Sequence, residues 1–171
     1  MTFRRARDSA LLTQAPTAMA QRTARRLYCV RISGIHGRGV FAATTIRKGA
    51  LIVEYGGQRT TWEIVNERPD SDPANPYHTF IFETSDGTVI DGGRRGNAAR
   101  WINHSCAPNC KSFEDDDGRV YIEARRTIPL GTELTYDYRL SYDGRITRKL
   151  RAAYACHCGA PRCRGSLLLD P

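Results

Sequence analysis

Three cysteines near the end of the chain constrain the fold more than any other feature. In "CHCGAPRC" (156–163), Cys156, Cys158 and Cys163 follow the spacing C-x-C-x4-C on a loop containing glycine and proline. Three thiolates this close can wrap one soft cation, but a tetrahedral zinc site takes four ligands. The fourth must come from a distant segment, so the C-terminal loop has to fold back on the chain. "NHSCAPNC" (103–110) offers Cys106 and Cys110. His157 lies between two of the cysteines and is expected to point away. Cys29, alone near the first expected strand, reads as a small buried hydrophobe. A thiol redox function is the competing reading. Without a convincing secretion signal, six cysteines favour metal over disulfides. They imply an intracellular setting, cytoplasmic or nuclear (nucleoid-associated), with a mitochondrial one left open.

The 171 residues suffice for one domain with a real core. No run of about 18 apolar residues occurs, so no membrane span is expected. Of the net charge of +8, residues 1–26 carry +5, from six arginines against Asp8. This basic stretch is expected to be a separate, disordered arm. A solvated tail, a transit peptide and a patch for nucleic acid all fit its composition.

Ordered structure is expected from "LYCVRI" (27–32), a β-branched and aromatic strand. "GIHGRGVFA" (34–42) places three glycines around a turn, and a buried strand follows at 51–55. Residues 61–68 fit a short helix, and "SDPANP" (71–76) a loop. Strands at 79–84 and 88–91 are joined by Asp86–Gly87, a strong hairpin signal. Residues 96–102 fit one or two helical turns. "KSFEDDDGRVYIEA" (111–124) reads as two strands around Asp117–Gly118, with Val120, Ile122 and Ala124 alternating against Tyr121, Glu123 and Arg125. "IPLGTELTYDY" (128–138) reads as a glycine turn feeding a strand. Many short strands with little helix predict a mainly β, β-rich α+β, fold of small sheets.

"GRGVFA" (37–42), "GNAARWINHSCAPNC" (96–110), "ELTYDY" (133–138) and the terminal "CHCGAPRCRG" occur in an order and spacing that resemble the SET-domain protein lysine methyltransferases with a post-SET zinc loop. The resemblance covers about residues 27–169. It implies several small sheets around a C-terminal pseudoknot, with the SET domain at 27–140, a connector at 141–155 and the zinc-binding post-SET loop at 156–171. It also implies S-adenosylmethionine as methyl donor, a structural zinc, a lysine-bearing protein substrate (histone or otherwise) and a monomer. By the same resemblance Cys106 is the fourth zinc ligand, with Cys110 the runner-up. Asn103 and His104 would hold the cofactor partly through backbone groups while bracing the knot. Gly37, Arg38 and Gly39 resemble the turn that wraps the cofactor's methionine end, and Tyr55 and Arg100 border the same pocket, although Arg100 also fits a structural ion pair.

Tyr138 resembles the catalytic tyrosine, and Tyr136 the position that limits how many methyl groups fit. One departure concerns the lysine channel. Phe80 stands where relatives often have a tyrosine, so the ring is present and the hydroxyl is not; Tyr77 compensates only if its loop shifts. The rival readings are a catalytically silent interaction module of the same fold, and a nucleic-acid-associated protein acting through the basic arm. No nucleic-acid motif occurs in the expected folded part.

Overall fold

The computed structural model describes residues 26–68, 80–142 and 144–169. The basic arm up to residue 25, the 71–76 loop and Tyr77 lie outside these residues. Among the described residues, ten short strands form four small sheets, as the spacing of turn residues predicts.

The first hairpin pairs β1 (Tyr28–Ile32) with β2 (Arg38–Ala42), antiparallel, from Tyr28↔Ala42 to Ile32↔Arg38. The acidic run before Gly118 is a tight turn rather than a charged surface strand. Asp115 Oδ1 accepts the amides of Asp117 (3.0 Å) and Arg119 (2.8 Å), and Gly118 takes the left-handed φ of 73°. That turn joins β8 (Cys110–Glu114) to β9 (Val120–Ala124), and β3 (Leu51–Glu54) completes the sheet in the order β3-β9-β8. Val120, Ile122 and Ala124 are buried on one face of β9, as their alternation predicts. The third sheet runs β4 (Gln58–Thr60), β6 (Val89–Asp91), β5 (Ile81–Glu83). Its β5–β6 hairpin turns at Asp86–Gly87, where Asp86 Oδ1 accepts the Thr88 amide at 2.9 Å.

The fourth sheet departs from expectation. The segment 128–138 yields only β10 (Thr135–Tyr136), paired in parallel with β7 (Asn103–His104). The chain crosses here instead of running along a sheet. Much of its backbone bonding goes elsewhere: the Leu134 amide to Val40 O, and the Thr135 amide to the Asn109 side chain. The helices are short, with α1 at Trp62–Asn66 inside the expected 61–68 and a 3-10 turn at Ala98–Trp101. A second helix, α2 (Arg148–Ala153), lies in what reads from sequence as a plain connector, and Thr147 Oγ1 caps it by accepting the Leu150 amide at 3.1 Å.

One core joins the sheets, built on Val40, Ile46, Ile52, Ile102, Ile122, Ile128 and Leu134. Among the described residues none after Tyr138 belongs to this cluster or packs against it as a partly buried hydrophobe, and only Leu168 of the C-terminal hydrophobics is buried, so the segment is held mainly by other means. Ile122 is 0% exposed at the centre of β9. Ile122→Ala is expected to lower unfolding free energy by about 3 kcal/mol, through lost burial and the cavity left behind, readable in a urea titration.

Candidate active site and metal centre

The dense polar stretch 103–110 works as a brace at the chain crossing. Asn109 is buried; its Nδ2 donates to Glu133 O at 2.7 Å and its Oδ1 accepts from Thr135 N at 2.9 Å. Asn103 Nδ2 donates to Glu133 Oε1 (2.8 Å), Arg38 O (3.0 Å) and His36 O (3.3 Å). Both asparagines therefore fix the strand that leads into Tyr136 and Tyr138, and Asn103 also fixes the turn before β2. That turn needs its glycines for reasons internal to the protein. Gly37 has φ 46°, and a Cβ on Gly39 would come within 2.3 Å of Glu133 Oε1, a carboxylate already held by Asn103 and Ser33.

His104 is buried, and its ring faces two ways. Nδ1 accepts the Tyr138 amide at 3.2 Å, which leaves the proton on Nε2, 3.4 Å from Cys106 Sγ. Burial, with Arg164 nearby, outweighs the Asp137 carboxylate and lowers its pKa to about 4, so the ring is neutral at physiological pH.

Cys106, Cys156, Cys158 and Cys163 converge, with all four sulfurs within 4.8 Å of one another. Zn–S bonds of about 2.3 Å in a tetrahedron put sulfurs about 3.8 Å apart. Cys106 Sγ lies 3.8 Å from both Cys156 Sγ and Cys163 Sγ. Backbone amides also donate to sulfur, Cys106 N to Cys158 Sγ (3.4 Å) and Gly165 N to Cys163 Sγ (3.3 Å). Burial opposes ionisation of Cys158, but the amides of Cys106 and Ala160 and the neighbouring thiols outweigh it and bring that thiol down to about 6. The donor set thus fits a tetrahedral thiolate-bound zinc. Cys110 does not belong to it: the side chain is fully buried under the sheet, burial pushes its thiol up to about 12, and its sulfur meets Asn109. His157 is exposed and outside the cluster, as expected.

Two cavities flank Tyr138. The larger, about 880 Å³, is lined by Gly37, Arg38, Tyr55, Phe80, Arg100, Tyr136 and Tyr138 among others. The smaller, about 240 Å³, is lined by His104, Ala152, Ala153 and Cys156 among others. His36, Asn103, Tyr138, Tyr154 and Leu167 line both. Gly39 lines neither; what the structure shows at this position is its close approach to Glu133.

The aromatic wall of the larger cavity is ordered by ring contacts. Tyr136 and Tyr138 lie 4.9 Å apart, Tyr136 and Phe82 6.4 Å, and Phe80 meets Trp101 edge-on at 4.9 Å. Tyr55 Oη donates to Phe80 O at 2.9 Å. Tyr138 Oη donates to Ile102 O at 2.8 Å. Burial holds the phenols of Tyr55, Tyr136 and Tyr138 well above their usual pKa, so all three are neutral O–H groups.

Arg100 forms no ion pair among the described residues. Its guanidinium lies over Trp101 (4.8 Å) and Phe80 (5.9 Å), and Nη1 donates to Gly92 O at 3.1 Å. Its Nε is buried with no partner. An orphaned donor on a residue lining the larger cavity fits a ligand that brings an acceptor.

A family model described as SET domain matches residues 37–139. The chain belongs to the SET-domain family. It is 35% identical over 156 residues to the histone-lysine N-methyltransferase trithorax of Drosophila melanogaster, covering 87% of this chain and 4% of that protein. It is 40% identical over 139 residues to histone-lysine N-methyltransferase ATX2 of Arabidopsis thaliana (78% and 12%). It is 36% identical over 147 residues to human histone-lysine N-methyltransferase 2B (84% and 5%). The chain thus spans only about 4 to 12% of these relatives' length.

Sequence reasoning misses Trp101 within this SET domain, Tyr154 and Leu167 beyond it, and the pair Asp137–Arg164 that joins the two. Asp137 stands inside "ELTYDY" between two singled-out tyrosines, and Arg164 directly follows Cys163. Their placement was the available signal, but a polar pair 27 residues apart carries no periodicity to flag it.

Proposed function

We propose that this chain is an S-adenosylmethionine-dependent protein-lysine N-methyltransferase with a structural zinc in its post-SET loop. The observation that carries the reading is that the larger cavity gathers the residues expected to hold the cofactor (Gly37, Arg38, Tyr55, Arg100, Asn103) and those expected to line the lysine channel (Phe80, Tyr136) around one part-buried tyrosine, Tyr138. Asn103 and His104, with Gly37, Arg38, Tyr55 and Arg100, are the residues that would hold S-adenosylmethionine, which supplies an electrophilic methyl group when bound. Cys106, Cys156, Cys158 and Cys163 would hold zinc, which supplies order rather than chemistry. Four reduced thiols suit an intracellular setting.

The nucleophile must be a neutral amine. A free lysine has a pKa of about 10.4, so only roughly one in 2,500 is neutral at pH 7. Phe80, Tyr136 and Tyr138 provide a narrow apolar wall that disfavours the ammonium form by desolvation. The neutral O–H of Tyr138, held by Ile102 O, is a fixed dipole that orients the amine. Alignment of the two substrates accounts for most of the acceleration. The relatives are histone-lysine N-methyltransferases, which makes histones the first substrates to try, with other lysine-bearing proteins and chromatin docking by the basic arm beside them.

The test is incubation of the full chain with S-adenosylmethionine and a lysine-peptide array, read by mass spectrometry. Mono- and dimethylated products are expected; no transfer to any peptide or basic protein would favour the silent module instead. The Tyr136 hydroxyl resists displacement by a methylated amine, because an unpaired polar group in an aromatic pocket is costly. Tyr136→Phe is therefore expected to move the product distribution toward trimethyl-lysine. Dominant trimethylation by the unchanged protein would overturn the assignment of Tyr136.

A further inference from the structure

Arg164 ties together parts of the molecule that the hydrophobic core leaves separate. It directly follows Cys163, so its backbone belongs to the thiol loop. Its Nη1 and Nη2 grip the Asp137 carboxylate in a paired bond, 3.0 Å to Oδ2 and 2.7 Å to Oδ1. The remaining donors hold the next turn of its own segment: Nε to Ser166 O at 3.0 Å, and Nη2 to Leu167 O at 3.3 Å. Asp137 sits between Tyr136 and Tyr138, and Leu167 lines both cavities.

We propose that Asp137 and Arg164 form a latch, with Arg164 a positioning residue that sets the Leu167 wall shared by the two cavities against the Tyr136–Tyr138 segment. Planar, forked pairing makes this contact directional, so a point charge would not replace it. The pair is part-buried, with side chains 25% and 29% exposed, and therefore less screened than a surface ion pair. The neighbouring ties are few: the Leu167 amide to Tyr154 O, the Leu169 amide to Leu140 O, and Ser166 Oγ to Tyr154 O. These anchor the segment to itself and to Leu140. Among the described residues, the Asp137–Arg164 pair is the side-chain ion pair that joins it to the Tyr136–Tyr138 segment.

The latch rests on the proposed methyl-transfer reading for its consequence, but the pair has readouts of its own. Arg164→Gln and Asp137→Asn are each expected to weaken binding of S-adenosylhomocysteine by at least about tenfold in calorimetry, an effect of the size seen when one partner of a charged hydrogen-bonded pair is removed. Both should retain one zinc per chain and show faster hydrogen exchange at the Leu167 amide. The double variant leaves neither charge unpaired, so its loss should not exceed that of the worse single variant. In steady state, KM for S-adenosylmethionine should rise more than kcat falls. Unchanged affinity in both single variants, losses that multiply in the double variant, or zinc loss in either single variant would overturn the latch. If the unchanged chain transfers no methyl group, the functional reading fails, while zinc content, ligand binding and exchange still decide the latch.

Discussion

Replacing Tyr138 with phenylalanine is expected to reduce turnover by at least about tenfold while leaving cofactor affinity within about twofold, the pattern of an interaction made mainly in the transition state. The ring should stay in place. It is held by Tyr136 at 4.9 Å and His104 at 5.4 Å, and its backbone amide is fixed by His104 Nδ1, none of which involves the hydroxyl. What goes is a single O–H, now donated to Ile102 O. The orphaned carbonyl should lower stability by on the order of 1 kcal/mol, too little to unfold the chain. Burial and then the Glu133 carboxylate hold the Tyr138 phenol well above its ordinary value, so it does not ionise in the working range. The rate should accordingly rise with pH as the lysine amine loses its proton, with the same profile in Tyr138→Phe. A shared profile at a lower plateau marks Tyr138 as an orienting dipole. An ionisation below about pH 10 present in the unchanged enzyme and absent from the variant would make it a general base, and equal losses in binding and turnover would make it a binding residue.

The sequence carries local structure better than it carries the crossing. Both Asp–Gly hairpins and the alternation in β9 are written in adjacent residues, because turn chemistry and side-chain period are local properties. The small sheets follow from them. By contrast β7 and β10 are two residues each and pair in parallel across 32 positions, so neither has a period to read. Helix α2 buries no residue and leaves no apolar stripe. The thiols were legible as a group because zinc geometry demands a fourth ligand, yet composition alone could not choose between Cys106 and Cys110. That choice turns on which side chain faces the sheet interior, and Cys110 does. Gly39 illustrates a further limit. A Cβ there would meet Glu133, a residue 94 positions later, which no local pattern announces.

Removal of the metal is expected to abolish methyl transfer before the domain unfolds. The core cluster ends at Tyr136 and Tyr138 and takes no member from the described residues of 141–169. The described residues there form one short helix with no buried side chain and contribute to two isolated bridges, Ala155↔Ser166 and Leu140↔Leu168. Binding of a thiolate-held zinc is itself folding free energy for such a segment. Its loss should release Tyr154 and Leu167, which wall both cavities, and Cys156, which lines the smaller. It also frees the sulfur that faces His104 Nε2, whose Nδ1 holds the Tyr138 amide. A chelator titration followed in parallel by activity and by far-ultraviolet circular dichroism should therefore show activity vanishing while the β signal persists. Cys106→Ser should reproduce the effect with metal content well below one per chain, whereas Cys110→Ser should keep its metal, because that sulfur lies in the core and away from the cluster. Coincident loss of activity and β structure would mean that the metal supports the core as well as the loop. Full metal in Cys106→Ser together with loss in Cys110→Ser would reassign the fourth ligand.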